Sequence, residues 1–278
     1  VTLVALCSVK GSPGVTTAAL GLAARWPAGE LPVVVECDAA GGDLLARFRL
    51  ETSPGLVSLA AAVRRNAESG LVWQHIQRLP GGLPVVAGPA GAEQARAALA
   101  QITTAGAAAL RSAADRPGTV VVADCGQVGP DSATLDILRA ADVVLLLARA
   151  HDDALSHVVA NLDATARWSR HRPLFALVGG GYPTSEVAQT LGIEVIGRLP
   201  DDRHGAAVLG GRPGRRSAPA QSPLGRALAR IAALAASRAL TPPRGENQQA
   251  AGFREADTSS PSAGRHGSPH EFWEGVSR

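Results

Sequence analysis

A chain of 278 residues can bury one sizeable α/β core, and its last stretch is too polar to add a second. Apolar residues make up 46% of it but aromatics only 3%, which leaves the core to Val, Leu and Ala and suits a parallel sheet under alanine-rich helices. With 27 basic against 24 acidic residues, the net charge of +3 is too small to argue by itself for nucleic acid or membrane, and no apolar stretch approaches the ~20 residues that span a bilayer.

Short β-branched runs recur in chain order at 1–9, 32–38, 83–88, 119–125, 142–148, 173–179 and 193–199. Most are apolar without alternation, as strands covered on both faces are, and the segments between them are long enough for crossover helices. The pattern predicts an α/β fold in three layers, a doubly wound, mostly parallel sheet of about seven strands. Helices are expected over 16–26, ending before Pro27, and over 92–114, ending near Pro117. A further helix over 224–240 sets Leu224, Leu228 and Ile231 on one face and Arg226 and Arg230 elsewhere, as a helix docked on the sheet would. From Thr241 the chain turns to Pro, Gly, Ser, Gln and His, which cannot bury enough apolar surface to offset the entropy of ordering. Two segments are therefore expected, a folded domain over 1–240 and a disordered tail over 241–278. Phe272 and Trp273 near its end mark either a short docking motif or an unselected terminus.

Cys7, Cys37 and Cys125 stand singly inside apolar runs, without the paired spacing of zinc or iron–sulfur ligands, and read as small residues of tight strands in a reducing cytosol. The first residues form a strand pattern and not a charged segment ahead of an apolar one, so the chain reads as cytoplasmic.

The segment Lys10-Gly11-Ser12-Pro13-Gly14-Val15-Thr16-Thr17 lies between the first strand and the first helix. Its glycines let the backbone turn tightly and aim N–H groups at phosphate oxygens, the helix adds its positive end, and Thr16 falls where a hydroxyl can ligate Mg²⁺. The alternative is an ordinary Gly-Pro turn. Two further acids close apolar strands: Asp38 after the second, with Glu36 two residues before it, and Asp124 after the fourth. A carboxylate at a strand's C-terminal end sits where open α/β sheets bind ligands, and one that follows a run of apolar residues is too costly to bury uncompensated. Asp38 could instead cap a helix, although Asp43 before Leu44 already fits that part. Asp142, at the start of a strand, reads as a boundary residue.

These motifs resemble the ParA/MinD-like deviant Walker A family of P-loop ATPases, whose loop reads K-G-G-x-G-K-T-T. The match rests on Lys10, Gly11, Gly14, Thr16 and Thr17 and extends through the segment at 36–42 to Asp124, Gly126 and the late Pro200-Asp201; it spans residues 1 to about 240. The resemblance implies ATP and Mg²⁺ as cofactors and a nucleotide-dependent homodimer in which Lys10 reaches the partner's nucleotide. It further implies that the nucleotide lies along 10–17 and near Pro200 and Asp201, that Thr16, Asp38 and Asp124 serve the metal, that Asp38 positions water, and that Gly41, Gly42 and Gly126 open the two switches.

Two departures stand out. Val15 replaces the second lysine, which in the family contacts phosphate within its own subunit, and a valine can donate nothing there. Gly179, Gly180 and Gly181 stand where many relatives carry an asparagine that reads adenine. Arg203, Arg212, Arg215 and Arg216 fall where ParA-like proteins often carry a basic surface for DNA, or else form a solvated loop. Membrane attachment is not expected, because the polar, proline-broken end offers no amphipathic helix.

The reading is thus a slow or weak ATP-dependent dimer switch that positions cargo such as chromosome, septum or a pilus or secretion machine, with an unidentified protein partner. The rival is a scaffold that keeps the fold and dimer surface without turnover. A Rossmann dehydrogenase is excluded by the lack of G-x-G-x-x-G after the first strand.

Overall fold

The computed structural model describes residues 2–65, 70–104, 107–169, 171–212 and 219–240. The strands are β1 (Thr2–Ser8), β2 (Leu31–Glu36), β3 (Gln77–Arg78), β4 (Pro84–Val86), β5 (Thr119–Gln127), β6 (Val143–Ala150), β7 (Leu174–Gly181) and β8 (Val195–Leu199). They form one eight-stranded sheet in the order β3-β4-β2-β5-β1-β6-β7-β8. Every neighbouring pair is parallel except β3 with β4. All seven expected strands are present. The eighth, β3, was not expected: with two polar residues, it exists only as a short antiparallel partner of β4 at the sheet edge.

Along β1 the side chains divide strictly by parity, which explains the apolar run without alternation. Leu3, Ala5 and Cys7 join one core cluster with Val33, Val35, Val121 and Ala123. Val4 and Leu6 join the opposite cluster with Val34, Val120, Val122, Leu145 and Leu147. The helices are α1 (Val15–Ala24), α2 (Leu44–Phe48), α3 (Leu56–Arg65), α4 (Leu71–Gln74), α5 (Ala92–Thr103), α6 (Ala108–Ala114), α7 (Leu135–Ala140), α8 (Asp152–Ala166), α9 (Thr184–Leu191), α10 (Arg203–Leu209) and α11 (Pro223–Ala239). Buried residues of α3, α5 and α6 belong to the first cluster, and those of α1 and α11 to the second.

Helix α11 buries Leu224, Leu228 and Ile231 and leaves Arg226 and Arg230 exposed, as its pattern predicted. Its start is fixed by Ser222, whose Oγ accepts the Gly225 N–H at 3.0 Å, with Pro223 at the first helical position. α11 packs closely on α1: a Cβ built at Gly21 would come 2.3 Å from Leu228 Cδ1.

The single helix expected over 92–114 is two helices. Thr103 Oγ1 donates to Leu99 O at 2.9 Å and Thr104 Oγ1 to Ala100 O at 2.6 Å, and such back-bonding favours a bend. The chain restarts at Ala107, whose φ of 59° is left-handed. The tail at 241–278, with Phe272 and Trp273, lies outside the described residues, as do Arg215 and Arg216.

Asp142 does more than mark a boundary. Its Oδ2 accepts the Leu3 N–H at 2.8 Å and a bond from Arg111 Nη1 at 2.8 Å, tying the start of β1 to β6 and α6. Charged hydrogen bonds of this kind contribute about 1.5–3 kcal/mol, so Asp142→Ala is expected to lower unfolding free energy by roughly 2 kcal/mol in urea titrations. A loss under a few tenths of that value would show that the pair is carried by solvent.

Candidate functional site

The site is built where β1, β2 and β5 deliver their C-terminal ends beneath the start of α1. Between β1 and α1 the loop turns at Gly11 and Gly14, with φ of 71° and 91°, values that L side chains rarely adopt. Gly14 is the N-cap of α1 and supplies no side-chain cap, so the first N–H groups of the helix face the loop without a side-chain acceptor. Lys10 and Ser12 are exposed, Pro13 is buried, and Thr16 and Thr17 are half-buried. Val15 is only 6% exposed and packs into the core cluster under α1. The residue standing in the lysine position is thus a core residue.

Asp124 is fully buried and shares with Val120 and Val122 the sheet face that carries α1. It does not end its strand as expected: β5 runs on to Gln127, whose register partner is Ser8 at the end of β1. Its Oδ1 accepts the Gly126 N–H at 3.2 Å, and its Oδ2, though buried, makes no hydrogen bond. Burial pushes its pKa up to about 6, against the pull of the Thr16 hydroxyl and the Gly126 N–H. A buried carboxylate with one oxygen left out of any well-formed hydrogen bond, and with the Thr16 hydroxyl beside it, fits a divalent cation. Among the described residues no group of three or more His, Cys, Asp or Glu is placed to cage a metal.

Glu36, paired in register with Asp124, is 1% exposed. Its carboxylate accepts N–H bonds from Asp43 at 2.6 Å and Leu44 at 3.1 Å, where α2 begins, and from Gly88 at 2.8 Å, just beyond β4. Asp43 occupies the N-cap position of α2, but its own carboxylate does no capping and pairs with Arg47 at 2.5 Å. The capping comes from Glu36. Burial pushes the Glu36 pKa up to about 7, with the neighbouring Asp124 adding to the rise and the N–H bonds opposing it. Glycine is required opposite it, since a Cβ at Gly42 would lie 2.4 Å from its Oε2.

Asp38 follows β2 and accepts the Ala40 N–H at 2.8 Å, and partial burial raises its pKa. It abuts Gly126, where a Cβ would fall 2.1 Å from the Asp38 carboxyl carbon. Asp38, Asp124 and Thr16 are therefore brought to one place. Gly126 lies inside β5, and Gly41 and Gly42 lie in the turn between β2 and α2. Cys7, Cys37 and Cys125 are fully buried beside this edge, and burial pushes the Cys7 thiol up to about 12 and the other two well above their ordinary value. These are inert packing residues.

A cleft of about 450 Å³ opens beside the loop. Ser12, Pro13, Gly14 and Thr17 of the early loop line it together with Pro200, Asp201 and Arg203 of the late one. Asp202 is occupied elsewhere, accepting the N–H groups of Gly205 at 2.9 Å and Leu224 at 3.2 Å. The triple glycine is the end of β7 itself, not a loop after it. Arg198 donates to the carbonyls of Gly179 and Tyr182, and a Cβ at Gly181 would meet Ala150 O at 2.0 Å. Arg203 and Arg212 are exposed.

Sequence reasoning missed Arg149, which also lines the cleft, and Arg198. It also missed a signal in plain view: Lys10 is the one lysine among 27 basic residues, the rest being arginine.

The fold, with β1 between β5 and β6, a glycine loop from β1 into α1 and a buried acid on β5, is similar to that of solved ParA and MinD ATPases. Among solved structures of that fold, the ParA family ATPase from Chlorobium tepidum TLS is 17% identical, with a TM-score of 0.65 over 84% of this chain and 98% of that one. The septum site-determining protein MinD from Pyrococcus horikoshii OT3, complexed with Mg-ADP, is 15% identical, with a TM-score of 0.63 over 86% and 99%. A Cyanothece McdA–ATP complex is 12% identical, with a TM-score of 0.61 over 85% and 96%. No protein-family model matches the chain, and no curated protein matches it in sequence.

Both buried carboxyls hold a proton more tightly folded than unfolded, so their contribution to stability is full below the ordinary carboxylate range. It is lost as pH rises through about 6 for Asp124 and about 7 for Glu36. Without divalent cations, the urea midpoint should fall from about pH 4.5 to about pH 7.5. Glu36→Gln should flatten the upper part of that fall, and an unchanged slope would mean that Glu36 is ionised throughout.

Proposed function

We propose that this chain is a nucleotide-binding protein of the ParA/MinD kind, a slow ATP-dependent dimer switch that positions cellular cargo such as chromosome, septum or pilus and secretion machinery. The observation that carries the reading is the unpartnered buried Oδ2 of Asp124 beside Thr16, beneath the loop at 10–17. Thr16 and Asp124 would hold Mg²⁺, with Asp38 adjacent, and the loop N–H groups and the cleft would take the phosphates and the nucleoside. Bound there, the ion supplies Lewis-acid neutralisation of phosphate charge.

The chain's own part is positioning. The helix start and the left-handed glycines present N–H donors, Asp38 orients water, and Asp201 and Pro200 border the base. Lys10, exposed at the loop, would reach the nucleotide of a second copy. That lysine is kept at this one position, in a chain otherwise relying on arginine, supports a task needing a compact ammonium. The Mg-ADP complex of Pyrococcus horikoshii MinD and the ATP complex of Cyanothece McdA are similar in fold and support the choice of cofactor, and the Aquifex aeolicus MinC:MinD complex supports a protein partner. Arg203 and Arg212 are candidates for phosphate contacts to DNA, with Arg215 and Arg216 following them in sequence.

Burial of Val15 favours a second reading, a scaffold that keeps the fold and partner surface without turnover, because no ammonium reaches the phosphates from that position. Calorimetry with Mg-ATP and Mg-ADP, beside an Asp124→Ala control and an assay of released phosphate, separates the two. Binding lost in the control, with slow phosphate release, is the expected result; no binding at millimolar nucleotide would leave the scaffold. Val15→Lys should tighten ATP binding about tenfold or more, the worth of a charge-assisted hydrogen bond. Equal affinity in the lysine variant would show that the loop no longer addresses the phosphates.

A further inference from the structure

We infer that Arg149 is a nucleotide-phosphate-binding residue of the cleft, delivering from β6 the positive charge that Val15 does not provide. The inference rests on the nucleotide reading above and adds a residue to it. Strand β6 is buried at every position but this one. Val143, Leu145 and Leu147 face the cluster that contains Val15 and Ala18, and two residues further along the same face comes Arg149, exposed. Of the two helices whose buried residues share that cluster, α11 is the one that packs on β6, while α1 packs on β1, β2 and β5. At Arg149 this otherwise apolar face carries a guanidinium into the cleft that Ser12, Gly14 and Thr17 also line.

Topology sets the source of this charge. β6 is the immediate parallel neighbour of β1, with Cys7 opposite Leu146, so Arg149 lies three residues beyond the last paired position, alongside the strand that feeds the loop. Among the described residues the guanidinium makes no hydrogen bond or ion pair, so its donors are uncommitted. Of the acids that line the same cleft, Asp202 is held by the N–H groups of Gly205 and Leu224. Asp201 lies against Gly179, the residue after the Val178 that pairs with Arg149 in register, and makes no ion pair with Arg149. A planar fork of N–H donors matches two phosphate oxygens at once, where the point charge of a lysine would meet them singly.

The test is calorimetry of the full chain with Mg-ATP and Mg-ADP for wild type, Arg149→Ala, Arg149→Lys and Arg203→Ala. Arg149→Ala should weaken both nucleotides about tenfold or more, Arg149→Lys should recover part of the loss, and Arg203→Ala should change affinity less. Because Arg149 is exposed, thermal unfolding of the variants should match wild type. If wild type binds and Arg149→Ala binds equally well, the assignment is wrong while the nucleotide reading stands. If Arg149→Lys is as weak as Arg149→Ala, or Arg203→Ala costs as much, the specific role of this guanidinium falls. Absence of binding by wild type removes both.

Discussion

The sheet places two carboxylates, Glu36 and Asp124, opposite each other in adjacent strands and closes both off from water. Buried charge of this density is expensive unless each oxygen finds a donor or a cation. The two acids are treated differently. Glu36 is satisfied by backbone from two other parts of the chain, whereas Asp124 keeps one oxygen free beside a hydroxyl. The first becomes a structural clamp and the second a chemical group. Much of the local backbone follows, since Gly42 must lack a side chain to leave room for the Glu36 carboxylate.

The clamp also couples elements that only the fold brings together. Through Glu36, the end of β2 is joined to the start of α2 and to Gly88, two residues beyond β4 and 52 positions along the chain. Asp38, two residues on, therefore stands on a turn whose far end is fixed, and its contact with Gly126 brings that turn against β5. A ligand that drew Asp38 or Asp124 inward would pull on both segments.

Much of this was legible in the sequence, and the reasons differ by element. The seven longer strands could be read because burial on both faces leaves an apolar run that little else produces, and the phosphate loop because its glycines and threonines lie between such a run and a helix. β3 could not be read, since two polar residues carry no period. The break after Thr104 depends on hydroxyls choosing backbone carbonyls over solvent. Asp43 looked like a cap because local spacing says nothing of a glutamate arriving from the sheet. Arg149 was hidden for a related reason: its meaning depends on which residues the fold gathers into the cleft around it, a fact of packing and not of strand sequence. Whether Val15 meets the ligand or the core was equally a matter of packing.

The solitary lysine has a chemical corollary. Side-chain amines are the targets of acyl transfer, from simple anhydrides to enzymatic acetylation, and in these 278 residues there is a single ε-amine, exposed at the mouth of the glycine loop. Acylation of a lysine side chain in this chain would cancel charge at one position only, the loop itself, leaving the arginine-rich remainder of the surface untouched.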